Sequence, residues 1–188
     1  MQEELGKLAV LATGGDADAE GALDALVRAA APRVRRWALV QTGDPDTADD
    51  LTQEVLIQMV ASLDSLRHPE RIEPWLYTST RNAAVSLFRR SRRQADVRPL
   101  DAEKLVSASP GPEESRAGTE LKRLLVSLFR ELPRRQREVF DLVELQGLAA
   151  PRAAELLGIR PATVRVNLFK ARAALRRRLI AAGVRDDR

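Results

Sequence analysis

The side chains with the clearest chemistry lie near the end of the chain. Arg165, Phe169, Arg172 and Arg176 recur there at helical spacing, beside Val166 and Lys170. Guanidinium forks along one helix meet guanine edges in a major groove, while neighbouring cations pair with phosphates. The bland alternative is a solvated basic surface whose last cations complement the helix dipole. Phe169 is open between two roles, a rim of the core or an apolar contact to base methyls. A second basic run, Arg89, Arg90, Arg92 and Arg93, follows Arg81 and Asn82 and suits phosphate contacts, which position without specifying sequence. The third set is acidic. Asp50, Gln53, Glu54 and Ile57, next to Asp49, fall at i, i+3, i+4 and i+7 and place acids and one apolar side chain on a single helix facet. An isoleucine among acids suits a protein interface, although single exposed apolar residues are ordinary.

These residues need helices to hold them. In the final third, Pro133 suits a first helical position, and Val139, Phe140 and Val143 give a short amphipathic helix ending near Gly147. A second helix is expected from Ala149 or Pro151 to Leu157. Gly158 supplies the left-handed residue that stops it, Ile159 plugs the turn, and Pro161 starts the next helix. That is the turn of a helix-turn-helix, and it tips the reading of the arginine stripe from solvated surface to DNA face. Val164, Leu168, Ala171, Leu175 and Leu179 form the adjoining core stripe.

Upstream, Glu3 to Leu11 reads as a short helix closed by Gly14 and Gly15. A longer one, capped by Asp16 or Asp18, runs to Gly43 with a bend near Pro32. Asp44 and Pro45 open a third helix with Leu51, Val55, Leu56, Met59, Val60 and Leu63 as its buried stripe. Asp64 to Pro74 holds two prolines and reads as a loop with at most one helical turn. A fourth helix is expected from Trp75 to about Arg93, with Trp75, Leu76, Ala83, Leu87 and Tyr77 as core candidates and base stacking as the alternative for Trp75 and Tyr77. From Gln94 to Gly118, Pro, Gly, Ser and charge without apolar periodicity mark a flexible linker. A last domain begins with a helix near Thr119 whose stripe is Leu121, Leu124, Leu125, Leu128 and Leu132. The expected fold is all-α, with a helical domain over 1–93, a linker over 94–118 and a helix-turn-helix domain over 119–188.

Composition narrows the function. The 188 residues carry 44% hydrophobic side chains and no cysteine, so ordinary cores form without disulfides or a thiolate metal site. The single histidine, His68, is a loop residue and builds no histidine-rich site. No cofactor or metal is expected. No uninterrupted apolar run approaches membrane length, and MQEELGKLAV lacks the features of a signal peptide, so a cytoplasmic protein without membrane insertion is expected. The net charge of +4 matters less than its distribution: acids dominate the early chain, and bases cluster at Arg89 to Arg93 and Arg160 to Arg178. One acidic surface and two basic ones suit a bridge between a protein and two stretches of nucleic acid.

Taken in order, these segments resemble the extracytoplasmic-function group of bacterial RNA polymerase sigma factors over almost the whole chain. DPDTADDLTQEV resembles that family's polymerase-clamp region, IEPWLYTSTRNAAVSLFRRSRR the segment that opens and reads the −10 element, and LPRRQREVFDLVELQGL with AAELLGIRPATVRVNLFKARAALRR the −35-reading domain. The resemblance implies that Asp49, Asp50, Gln53, Glu54 and Ile57 bind core RNA polymerase. The loop Leu66 to Pro74 is where the family captures a flipped −10 base, which implicates Arg67, His68, Arg71 and Trp75. Arg81, Asn82, Arg89, Arg90, Arg92 and Arg93 then follow the melted promoter DNA, and Arg165, Val166, Phe169, Lys170, Arg172 and Arg176 meet the −35 element. The resemblance also implies an anti-sigma factor as a partner, and no catalysis. Three places depart from the family pattern: Ile72-Glu73-Pro74 precedes the Trp-Leu pair where an aromatic is usual, Val166-Asn167 replaces Ser-Arg, and Ala29-Ala30-Ala31 replaces aromatics. Two rival classes share parts of this pattern. A helix-turn-helix regulator that is not a sigma factor leaves the acidic facet unexplained, and an enzyme such as a recombinase would need a convergent nucleophile, metal cluster or phosphate loop that the sequence does not offer.

Overall fold

A computed structural model describes residues 2–15, 18–95 and 124–183, and every regular element among them is helical. The chain divides into two compact units, Met1–Leu105 and Val106–Arg188.

The first unit contains α1 (Gln2–Ala12), α2 (Ala19–Thr42), α3 (Pro45–Ser62) and α4 (Ile72–Ala95), with single 3-10 turns at Leu63–Ser65 and Pro69–Arg71. α2 is central and packs on the other three. Leu26, Val34 and Trp37 of α2 meet a core completed by Leu5, Val55, Met59, Ile72 and Leu76, all essentially inaccessible. Ala38, Ala48 and Ala84 cluster around Leu51, and such small residues let α2, α3 and α4 approach closely. Trp37 and Tyr77 meet edge to face at 5.2 Å between ring centres. Tyr77 is therefore a core residue.

The α2–α3 connection is short because its residues satisfy both helix ends. Gly43 takes φ +73° and donates its N–H to the Leu39 carbonyl at 2.8 Å. Asp44 then caps α3 by accepting from the Thr47 N–H at 2.9 Å. At the other end of α2, Asp18 occupies the cap position without a side-chain hydrogen bond, and Asp16 lies outside the described residues. α2 runs through Pro32 as one continuous helix, with the proline exposed on its solvent side.

Three other expectations need correction in this unit. α4 begins at Ile72 rather than Trp75, because a proline in the first helical turn loses no intrahelical bond and Pro74 is accommodated there. Val60 is exposed and Leu56 only half-buried, so the buried stripe of α3 is narrower than its apolar pattern. α4 also extends to Ala95, so Gln94 and Ala95 belong to it, while the rest of the expected linker lies outside the described residues.

In the second unit, α5 is described over 124–130; its expected start near Thr119, with Leu121, lies outside the described residues. α6 (Arg134–Phe140) continues into a π turn at Asp141–Leu145, followed by α7 (Ala150–Leu157) and α8 (Pro161–Ala181). Pro133 caps α6 in an extended conformation instead of opening it. Leu128, Leu132, Val139, Leu142, Leu156, Leu157, Val164 and Ala171 form the core, whereas Leu125 is exposed. Phe129 and Phe140 pack at 6.0 Å beside that core.

The helix-turn-helix forms as its residues dictate. Gly158 adopts φ +63°, and the next amide, Ile159, donates back to the Ala154 carbonyl at 3.0 Å, closing α7 in a Schellman turn. Nothing lies within 4 Å of a Cβ added at Gly158. Its replacement by alanine therefore costs only backbone strain, and Gly158→Ala should lower unfolding stability by about 1 kcal/mol, measured by denaturant titration.

Candidate protein and nucleic-acid interfaces

Three surfaces carry the residues singled out in the sequence. The first is the outer face of α3. Asp50, Gln53 and Glu54 are exposed, and Ile57 stands 62% exposed among them with Val60 close by in sequence and also open to solvent. Asp44 and Asp46 sit at the N-terminus of this helix, where its dipole favours negative charge. Asp49 differs from its neighbours. Its carboxylate accepts from Arg35 Nε at 2.5 Å and Nη2 at 3.3 Å, and this contact raises the Arg35 pKa, first through the hydrogen bond and then through charge attraction. Asp49 thus links α2 to α3, and its negative charge is already partly matched.

The second surface is the loop before α4 together with α4 itself. Leu63 and Ile72 anchor the loop ends in the core, and Glu73, nearly buried, pairs with Arg33 of α2 at 2.9 Å. Between these anchors Arg67, His68 and Arg71 are exposed. The Leu66 N–H donates to the Leu63 carbonyl at 3.1 Å, and that of Arg71 to the His68 carbonyl at 2.9 Å. His68 Nδ1 lies 3.0 Å from a Glu70 carboxylate oxygen. The Glu70 carboxyl is held below its ordinary pKa, mainly by its own backbone N–H and further by His68, against an opposing effect of burial. Two turns, two anchors and these bonds make the loop a defined shape carrying outward cations. Trp75 is half-buried, so its ring is divided between the core and the surface. Asn82, Arg89 and Arg90 are exposed along α4, Arg81 is half-buried, and the side chains of Arg92 and Arg93 lie outside the described residues.

The third surface belongs to α8. Val164 and Ala171 are fully buried, while Leu168, Leu175 and Leu179 are half-buried, so the expected core stripe faces inward. Arg165, Val166, Lys170, Arg172 and Arg176 are exposed. Phe169 is 74% exposed and is no part of the core. Asn167 turns back on its own helix, its Nδ2 donating to the Thr163 carbonyl at 2.8 Å. Arg172 is bound by Glu144, with Nε 3.1 Å from the carboxylate and Nη2 closer still. The outward face is therefore Arg165, Val166, Phe169 and Lys170 at the start of α8, with a partly neutralised arginine one turn beyond.

Two features were not anticipated. Glu138, only 2% exposed, is held between Arg134 and Arg135 at 3.0 Å each. Its i, i+3 and i+4 spacing from those arginines was the available signal, but spacing does not reveal burial. The second is an apolar groove of about 600 Å³ in the second unit, lined by Leu125, Val126, Phe129, Phe140, Leu145 and Ile180 among others. The exposure of Leu125 at this groove could not be read from a periodicity that places it on an apolar stripe.

Residues 26–94 match sigma-70 region 2, and residues 122–175 match sigma-70 region 4. The chain is 31% identical over 160 residues to the ECF RNA polymerase sigma factor EcfG of Rhodopseudomonas palustris (strain TIE-1), covering 85% of this chain and 86% of that one. This chain belongs to the ECF sigma factors. Among solved structures, CnrH in complex with the cytosolic domain of CnrY matches with a TM-score of 0.67 at 25% identity, covering 96% of this chain and 99% of that one. The sigma factor RpoE from Bartonella quintana, solved with the anti-sigma factor NepR, shares the fold with a TM-score of 0.63 at 24% identity over 86% of this chain and 96% of that one. As an ECF sigma factor, the protein is a transcription initiation factor that directs RNA polymerase to promoters. The α3 and loop surfaces of this sigma factor fall within region 2, and the α8 surface falls in region 4. No helix among the described residues is long and apolar enough to cross a membrane.

Proposed function

We propose that this sigma factor divides its work among the three surfaces. The exposed face of α3, through Asp50, Gln53, Glu54 and Ile57 with Asp49 at its margin, binds core RNA polymerase. The loop at Arg67, His68 and Arg71, with Trp75, holds a non-template −10 base outside the stack, and Arg81, Asn82, Arg89, Arg90, Arg92 and Arg93 follow the opened strand and its phosphates. The start of α8 reads the −35 element through Arg165, Val166, Phe169 and Lys170, with Arg172 and Arg176 on the flanking backbone. The protein performs no chemistry itself; it positions the polymerase and stabilises strand opening in the cytoplasm. An anti-sigma factor is its proposed regulator, as NepR is the partner in the RpoE complex.

The observation that carries this reading is the outward face of α8 following the Gly158 turn, where a cation, an exposed valine and a 74%-exposed phenylalanine stand beside a buried Val164. Phosphate binding alone has no use for exposed apolar side chains, whereas base methyls in a major groove do. Arg165→Ala should lower the preference for matched over scrambled −35 sites by about tenfold or more, the value of one good base contact. Arg92→Ala should instead weaken binding uniformly across sequences. Competition binding of the polymerase holoenzyme to matched and scrambled promoters tests both, and equal loss on the two sites for Arg165→Ala would overturn the assignment.

A further inference from the structure

The loop assigned to −10 base capture rests directly on the first helix. α1 packs against the Pro69–Arg71 turn as well as against α2 and α4. Gly6 makes this possible: a Cβ at that position would lie 2.6 Å from the Glu70 carbonyl oxygen and 3.3 Å from its carbonyl carbon. Those are backbone atoms, so no side-chain rotation relieves the clash. α1 cannot easily yield either, because Leu5 and Ala9 on the same face are buried at 1% and 0% exposure. The loop is restrained as well, by Leu63 and Ile72 in the core, by the Glu73–Arg33 ion pair and by the Arg71-to-His68 backbone bond. A methyl group placed between two elements that are both pinned must displace one of them, and the loop, with its exposed residues, is the less densely anchored.

We infer that Gly6 is a positioning residue for the −10 capture loop, and that α1 serves as the floor setting the height of the His68–Arg71 backbone above the helical core. This deepens the proposed role of the loop and rests on it. Gly6 touches no DNA; it acts through Glu70. Glycine is required there for closeness of approach rather than for backbone conformation, since Gly6 lies inside a helix where glycine is otherwise unfavourable.

The test is full-length protein with core RNA polymerase on a promoter mapped from transcripts induced by its overexpression. Initiation is compared between the native −10 element and variants altered one base at a time, and the ratio of matched to mismatched initiation is read. This ratio does not depend on the folded fraction, so mere loss of stability leaves it unchanged. Gly6→Ala should lower the ratio at the captured base by about tenfold, the usual worth of one discriminated base pair, while −35 selectivity stays native. Ala9→Gly, which loosens α1 without adding a clash, should shift the ratio in the same direction by less. Gly21→Ala, which meets nothing within 4 Å, should leave it unchanged. His68→Ala and Arg71→Ala, in the loop itself, distinguish the role of Gly6 from that of the loop. If they lower the ratio while Gly6→Ala and Ala9→Gly do not, the role of Gly6 is refuted and that of the loop stands. If none of the four lowers it, both are refuted.

Discussion

Ile57→Arg should weaken binding to core RNA polymerase by about a hundredfold while leaving the melting temperature within a degree or two of native. The side chain is 62% exposed on α3, so nothing in the fold depends on it. If it is buried on binding, its removal forfeits about 1–2 kcal/mol of apolar transfer. An arginine in its place must also be stripped of water in an apolar contact, at a cost of about 1–3 kcal/mol. Together these approach 3 kcal/mol, or about two powers of ten in affinity. Glu54→Ala should cost much less, since rim charges act mainly on the association rate and its salt dependence. Asp49→Ala should behave differently again, because losing the Arg35 contact frees a cation beside the interface as well as removing an acid. Fluorescence anisotropy of labelled protein with purified core enzyme measures all three. An Ile57→Arg chain that binds with native affinity would remove α3 as the polymerase-facing surface.

Glu138→Ala should destabilise the second unit by about 2–3 kcal/mol. Removing one partner of a buried ion pair commonly costs about 3–5 kcal/mol, because the remaining charge is left without compensation. The figure is reduced here because Arg134 and Arg135 are about a third exposed and can recruit water. Arg137 sharpens the expectation: its pKa is lowered, first by burial and then by Arg134 and Arg130, while Glu138 acts to raise it. Removing Glu138 therefore takes away a counter-charge from three arginines at once. For a unit of this size the loss corresponds to a fall in melting temperature of about 10 °C or more. Glu138→Gln, which keeps the shape and part of the hydrogen bonding, should lose less than half as much. Thermal unfolding followed by circular dichroism separates them, and equal stability of all three proteins would mean that the ion pair makes no net contribution.

The helices that bear the candidate residues were legible because their signals are local. Gly158, Ile159 and Pro161 specify a turn by backbone preference alone, and the turn formed with the expected left-handed glycine. Asp44 and Pro45 did the same for α3. Errors came where the outcome depended on tertiary neighbours. Pro74 looked like the end of a loop but sits inside the first turn of α4, since the preceding residues had a core pocket for Ile72. Val60 and Leu125 fit apolar stripes, yet among the described residues both stand open to solvent, and periodicity cannot count neighbours. The pairing of Asp49 with Arg35 and of Arg172 with Glu144 joins residues 14 and 28 positions apart, beyond the reach of helix-spacing rules. The same holds for Gly6, whose importance lies in a carbonyl more than sixty residues away.

The central claim is that this chain itself confers promoter-specific initiation on RNA polymerase. The most direct measurement is run-off transcription with purified core enzyme, this protein as the sole added factor, and a linear template carrying a promoter identified from transcripts induced by overexpression. A discrete product from the mapped start site, absent with core alone and lost when the −10 element is scrambled, is the predicted result. Transcription that appears only when another sigma factor is supplied would contradict the account and leave a DNA-binding regulator in its place.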